Sequence, residues 1–249
     1  MSNNKFSLPV YTKLVYGDIY NNLNILNKRD SMLSVNLRSF FQYSKLVDAS
    51  LRDVKLNQKL LQLGIVFGNQ IETTAGCIGA YGQYDVLDVN DLQISRCQEK
   101  YEKIYPCLRF FNKDATKIEV QQKYDIVLCF MLLQELPQIS KAKVINNALN
   151  AVKPGGEVVF IDYHHPYHWH PLSYLVRMYN RIHNPFVEKL WDIDIASYAK
   201  QKYDFVWRKS LYFGGMFQRL VAVRKVNPLD DGLEDISTAK SDELFTSEF

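Results

Sequence analysis

Five short apolar runs constrain this chain more than any other feature of it. They are KLLQLGIVF (59–67), YDVLDV (84–89), CLRFFN (107–112), YDIVLCFMLL (124–133) and EVVFIDY (157–163). The runs are continuous rather than alternating, which is the pattern of strands covered on both faces. The segments between them read as helices. A weak one spans Asn69 to Gly79, and another runs from about Asp91 to Tyr105. A third, with Ser140 as N-cap, carries Ile145, Ala148, Leu149 and Val152 at helical spacing and stops at KPGG. The order β-α-β-α-β-β-α-β predicts an α/β fold, a parallel sheet wound with helices on both sides. FVWRKSLYFGGMFQRLVAVRK then reads as two strands around Gly214-Gly215, a β-hairpin that closes the sheet.

The remaining segments decorate this unit. Residues 1–57 read as aromatic-rich helices forming a lid, with Leu37, Phe40, Phe41, Val47 and Leu51 largely on one face. The sheet domain covers 58–225 and contains an aromatic, His-rich insertion over 163–202. The tail from Val226 to Phe249 holds seven acids and one lysine and is expected to be disordered. Residues 1–225 are therefore more basic than the overall charge of +3 indicates, which suits an anionic surface or ligand as well as ordinary solvated lysines. The four cysteines form no C-x-x-C pair, the N-terminus has no apolar signal core, and no run of 18 apolar residues occurs. A cytoplasmic protein with reduced thiols is expected.

In an open parallel sheet, ligands bind beyond the carboxyl ends of the strands, beside the first strand at the switch point. Gly64-Ile65-Val66-Phe67-Gly68 falls there. Glycine lets the backbone approach a ligand or take φ > 0. Asp88, ending the second run, can accept two hydrogen bonds from a ribose diol, with Val89 beside it. Asp114 and Ala115 follow the third run, within reach of an adenine amino group, and Phe130 lies near the end of the fourth. The turn is G-x-x-x-G, so neither a dinucleotide fingerprint nor a P-loop is present.

With these residues in place, the chain resembles the class I S-adenosylmethionine-dependent methyltransferases. LGIVFG stands at the family's glycine-rich first motif, LDV at its ribose-binding acid and NKDA at its adenine contact. YDIVLCF and VKPGGEVVFID match its fourth and fifth strands. The resemblance implies a Rossmann-like, doubly wound, mostly parallel seven-stranded sheet and S-adenosylmethionine as cofactor. Two positions depart from the pattern: Gln62 replaces the usual acid, and Val66 the usual middle glycine. Gln62 can still accept from a ligand's ammonium through its carbonyl, without charge.

LPVYTKLVY, VVFIDYHHPYHWHPL and YFGGMFQRLVAVRK are similar to the rhodoquinone-biosynthesis branch of that fold. That likeness implies S-adenosylmethionine acting as amino donor to ubiquinone, a lipophilic quinone-like acceptor, with a divalent metal such as Mn²⁺. Ordinary methyl transfer to an aromatic acceptor and a non-catalytic S-adenosylmethionine-binding protein are the alternatives. Nucleic acid is not an expected partner, because no aromatic–basic interleaved tract or base-flipping motif occurs.

DYHHPYHWHP gathers His164, His165, His168 and His170 after the fifth run. Four readings are open: general bases near pH 7, ligands of Mn²⁺, polar lining of a substrate cleft, or a structural loop. Tyr163, His164 and His165 are the catalytic candidates, Trp169 and His170 the substrate-site candidates, with Tyr163 and Trp169 stacking on a ring. PLSYLVRMYNRIHNPFVEKLW mixes apolar and basic residues and reads as a lid over the cleft, with membrane-surface contact at its rim.

Overall fold

The computed structural model describes residues 22–174, 176, 178 and 186–226. The LPVYTKLVY segment, nearly all of the acidic tail and part of the insertion lie outside the described residues. Seven strands form one sheet: β1 Lys59–Leu63, β2 Gln83–Asp88, β3 Leu108–Asn112, β4 Tyr124–Phe130, β5 Val152–Tyr163, β6 Phe205–Tyr212 and β7 Phe217–Arg224. Their order is β3-β2-β1-β4-β5-β7-β6. Pairing is parallel from β3 across to β5, while β7 runs antiparallel to both β5 and β6. The terminal hairpin therefore closes the sheet as the sequence indicates. The strand order reverses at β1, which opens a crevice at its carboxyl end.

The helices are α1 Leu23–Asp30, α2 Met32–Arg38, α3 Tyr43–Leu51, α4 Gln70–Ile78, α5 Asp91–Tyr101, α6 Gln138–Ala151 and α7 Glu188–Asp192. Successive strand residues feed opposite cores. Leu60, Ile126, Leu128 and Ile161 pack with residues of α3, α4 and α5, whereas Leu61, Val127, Cys129 and Phe160 pack with α6. With both faces covered, the period-2 alternation joins two apolar sides, and that is why the runs read as continuous. Arg219 of β7 fastens the N-terminal helices to this sheet. Its Nε donates to the Ala49 carbonyl at 2.7 Å, and its guanidinium pairs with Asp53.

Several boundaries differ from the sequence expectation. β1 stops at Leu63 because Gly64 turns the chain at φ +89°, and β4 stops at Phe130, ahead of Met131 at φ +54°. The MLL end of the fourth run leads into a 3₁₀ turn, Leu133–Glu135. Helix α6 begins after Pro137, not at Ser140; the Pro137 carbonyl accepts from Lys141 N–H at 2.9 Å and opens the helix. Proline suits this place, since the first helical turn leaves N–H groups unpaired in any case. KPGG lies inside the irregular start of β5, and Val152 pairs with Tyr124 instead of completing α6. Phe40 and Phe41 have φ of +51° and +59°, so the helical face expected from Leu37 to Leu51 is interrupted between α2 and α3.

Candidate functional site

The crevice is built from strand ends. Gly64 N–H donates to the Leu87 carbonyl at 2.9 Å, which holds the glycine turn against β2. Asp88 braces that turn from the other side: Oδ2 accepts from Ile65 N–H and Oδ1 from Asn90 N–H, each at 2.8 Å. Burial pushes the Asp88 carboxyl up to about 6, and the backbone donors reverse only part of that rise. Each oxygen keeps a second acceptor site for a ligand.

A cavity of about 190 Å³ opens here. Its sheet side consists of Gly64 to Phe67, Asp88, Phe130 to Leu132, Gln134, Glu135 and Tyr163. Its other side comes from the N-terminal helices, through Arg29, Val35, Arg38, Ser39 and Tyr43. The helical side is tied to the glycine turn. Gly68 N–H donates to Asp30 Oδ1 at 2.7 Å, and Asp30 Oδ2 pairs with Arg96 of α5 at 2.7 Å. The Tyr43 hydroxyl donates to the Phe67 carbonyl at 2.9 Å and accepts from Gln70 N–H at 3.0 Å, closing the start of α4. Burial holds this phenol well above its ordinary range, so it remains a neutral donor.

The predicted cofactor residues divide between the cavity wall and its surroundings. Gly64, Asp88 and Phe130 are in the wall, as is Val66. Gln62 is fully buried and turned into the core. Its Nε2 donates to the Gly64 carbonyl and to Gln70, while its Oε1 accepts from Gln70 and from the Tyr84 hydroxyl. Gly68 backs the turn against Tyr43. Asp114 is buried and accepts from the N–H and hydroxyl of Thr116 at 2.8 and 2.7 Å. The Ala115 carbonyl accepts from Asn147 and the Val89 carbonyl from Asn112. These last three are not part of the wall.

The insertion residues divide in the same way. Tyr163 lines the cavity, with its ring centroid 4.9 Å from that of Phe217. His164 points elsewhere: Nδ1 lies 3.0 Å from the Gly215 carbonyl and 3.1 Å from the His165 carbonyl. Two carbonyls at one nitrogen require Nδ1–H, and burial keeps the ring below the usual histidine range. His165 sits edge-on to Trp191 at 5.9 Å. His170 is buried on Phe213, and its Nδ1 accepts from Leu172 N–H at 3.2 Å. Trp169 is exposed and stacked on Tyr167. His164, His165, Trp169 and His170 thus surround the β6–β7 turn rather than the cavity. The residues do not fit a Mn²⁺ site: His164 and His170 already have backbone partners, and among the described residues no three His, Cys, Asp or Glu side chains gather.

Sequence reasoning missed Glu135, Arg29 and Arg38. Glu135 was hidden because the fourth run reads as strand to Leu133, whereas its last residues form the turn that places this carboxyl in the cavity. Asp162, fully buried at the end of β5, holds that turn: Oδ2 accepts from Leu133 N–H at 2.8 Å and Gln134 N–H at 3.4 Å. Burial raises Asp162 to about 7, against backbone donors and Lys141. Burial, with Asp162 nearby, raises Glu135 well above the carboxylate range.

Residues 60–156 match the family described as a methyltransferase domain. Magnesium protoporphyrin IX methyltransferase from Synechocystis PCC 6803, solved with bound S-adenosylhomocysteine, is 12% identical, with a TM-score of 0.59 over 86% of this chain and 100% of that one. The N-methyltransferase NodS from Bradyrhizobium japonicum WM9, also in complex with S-adenosylhomocysteine, is 14% identical (TM-score 0.54; 87% and 100% covered). An S-adenosylmethionine-dependent methyltransferase from Aquifex aeolicus is 14% identical (TM-score 0.53; 82% and 98% covered). Identities this low establish the fold, the Rossmann-like one of class I methyltransferases. No curated protein matches the chain.

Proposed function

We infer that the chain is an S-adenosylmethionine-dependent transferase of the class I methyltransferase superfamily and that it acts on a lipophilic quinone-like aromatic acceptor. The observation that carries the reading is the cavity itself, which places the Asp88 carboxylate beside walls of Ile65, Val66, Phe67, Phe130, Met131, Leu132 and Tyr163. The residues fit the cofactor: an acid with free acceptor sites faces a positive-φ glycine turn at the switch point. When bound, S-adenosylmethionine would supply either a methyl group activated on its sulfonium or, in amino transfer, the amino group on its methionine α-carbon. The chain's own part is to fix the nucleoside at Asp88 and seat a flat acceptor among apolar side chains, against the group to be transferred. Tyr163 supplies a ring to stack on and a hydroxyl that can hydrogen-bond the acceptor.

A membrane-surface contact belongs to the same reading. No helix among the described residues is long and apolar enough to cross a membrane. Leu33, Leu37 and Phe41, from α2 and the turn after it, are 68%, 57% and 66% exposed. The same segment sends Val35 and Arg38 into the cavity, so a lipid tail has an apolar surface close to the site.

Resemblance to the rhodoquinone branch favours amino over methyl transfer, and isotopes separate the two. The protein is incubated with a short-chain ubiquinone and S-adenosylmethionine carrying either a ¹⁵N amino group or a deuterated methyl. Appearance of ¹⁵N in the quinone supports amino transfer, and deuterium alone supports methyl transfer. S-adenosylmethionine that binds and is never consumed, with any quinone or phenol, would establish a binding protein instead.

A further inference from the structure

The acid usually placed before the first glycine is missing from this chain, and Gln62 brings neither charge nor a free amide to the cavity. Two carboxyls reach the cavity from other strand ends. Asp88 comes from β2 and Glu135 from the turn after β4, on opposite sides of β1 in the sheet. A nucleoside ligand with its ribose on Asp88 that crosses Gly64 therefore extends toward Glu135. Among the described residues, no hydrogen bond or ion pair engages the Glu135 carboxyl. Its turn is nonetheless fixed, since Asp162 holds the two preceding N–H groups. A rigidly held acid with no partner of its own, facing a cavity, is arranged to receive a positive ligand.

We propose that the Glu135 carboxylate is the counter-charge for the sulfonium of the donor, so that the site separates cationic S-adenosylmethionine from neutral S-adenosylhomocysteine. This rests on the cofactor reading above. The other charges around the site are consistent with it. Arg29 of α1 and Arg38 of α2 line the helical side, and Arg38 also donates to the carbonyls of Ser34 and Arg29. They suit a carboxylate, not a sulfonium. Asp88 faces the nucleoside portion, which donor and product share. Asp162 and Lys141 of α6 lie behind the turn, while burial keeps Tyr43 neutral near pH 7. Burial favours the protonated form of Glu135, and a cation beside it favours the ionised form. Preference for the donor should therefore strengthen as pH rises, whereas effects of Asp88 cancel between the two ligands.

Calorimetric titration of the full chain with each ligand, from pH 6 to 9, tests this in wild type, Glu135→Gln and Glu135→Asp. Glu135→Gln should lose roughly tenfold or more in affinity for S-adenosylmethionine, as a removed counter-charge predicts, with S-adenosylhomocysteine nearly unaffected. Its affinity ratio should be flat with pH, and Glu135→Asp should recover part of the preference. Equal losses for both ligands would assign Glu135 a structural role and overturn the proposal. So would an unchanged ratio and pH slope in Glu135→Gln while wild type binds both ligands. Wild type that binds neither ligand overturns the cofactor reading, and this inference with it.

Discussion

Gln62 and Gln70 exchange amide hydrogen bonds in both directions, each 2.9 Å long, inside the core beneath the glycine turn. Tyr84 donates a further bond to Gln62 Oε1, and Thr74 accepts one from Gln70 Nε2. The position at which the resembled methyltransferase pattern has an acid is here part of a closed amide network, which joins β1 to α4 and leaves nothing for a ligand.

Gln62→Glu, which restores the acid of the first motif, should therefore destabilise the protein without tightening cofactor binding. The carboxylate would face the Gly64 carbonyl and Gln70 Oε1 with no donor of its own, in a fully buried site. Leaving buried acceptors unmatched costs on the order of 1–3 kcal/mol, and more when the group is charged. Denaturant titration reads the loss. A variant of unchanged stability that binds S-adenosylmethionine more tightly would show that Gln62 can turn toward the ligand.

Gly64 and Gly68 both require positive φ, at +89° and +92°, but their surroundings differ. A Cβ on Gly64 would meet the flexible end of Leu132 at 3.4 Å, an ordinary contact. One on Gly68 would lie 2.5 Å from the Tyr43 hydroxyl oxygen and displace the group that closes α4. Gly68→Ala should thus cost more than Gly64→Ala. Backbone strain of roughly 1–2 kcal/mol is common to both, and the lost hydrogen bonds of Tyr43 add about 1–2 kcal/mol for Gly68 alone. Thermal unfolding of the two variants checks the order, and a reversed order would mean Tyr43 moves aside freely.

The sheet was legible in the sequence because burial on both faces makes apolar runs that are hard to mistake, and Gly64 and Asp88 followed from the strand-end rule. Three kinds of feature were not legible. Backbone at positive φ on non-glycine residues, at Phe40, Phe41 and Met131, broke elements whose apolar pattern continued without interruption. The inward turn of Gln62 depends on Gln70 and Tyr84, which no local pattern connects to it. The cluster DYHHPYHWHP looks chemical in sequence, yet His164 and His170 brace the β6–β7 turn, through the Gly215 carbonyl and at Gly214, which leaves room for the His170 ring.

The exposed apolar residues of α2 and its following turn should mediate membrane contact. Leu33, Leu37 and Phe41 are mostly solvent-facing, so exchanging them for Gln or Ser should alter folding stability by only about 0.5 kcal/mol. Each side chain that inserts into lipid contributes about 1.5–3 kcal/mol, so a triple variant should lose most of its binding to vesicles. Co-sedimentation with phosphatidylglycerol-containing vesicles measures this, with melting temperature as the control. Equal sedimentation of wild type and variant would remove this surface from the functional reading.

Asp88 gives the site a pH dependence whose sign can be worked out. Burial raises its carboxyl to about 6 in the folded chain, above the usual 3.8. The folded state thus holds more protons than the unfolded one between about pH 4 and 6, and the contribution of Asp88 to stability declines as pH rises through that window. Ligand binding runs the other way, because two ribose hydroxyls donate to the ionised form. Affinity for S-adenosylmethionine and S-adenosylhomocysteine alike should be full above pH 6 and fall as pH drops below it, by roughly tenfold per unit. Asp88→Ala should remove this dependence and weaken both ligands by on the order of 1.5–3 kcal/mol, the usual value for hydrogen bonds to a charged group. Titration calorimetry at pH 5, 6, 7 and 8 gives both slopes. If wild-type affinity stays constant from pH 5 to 7, or the variant binds as tightly as wild type, then the diol is not held by Asp88 and the nucleoside must be placed elsewhere along the strand ends.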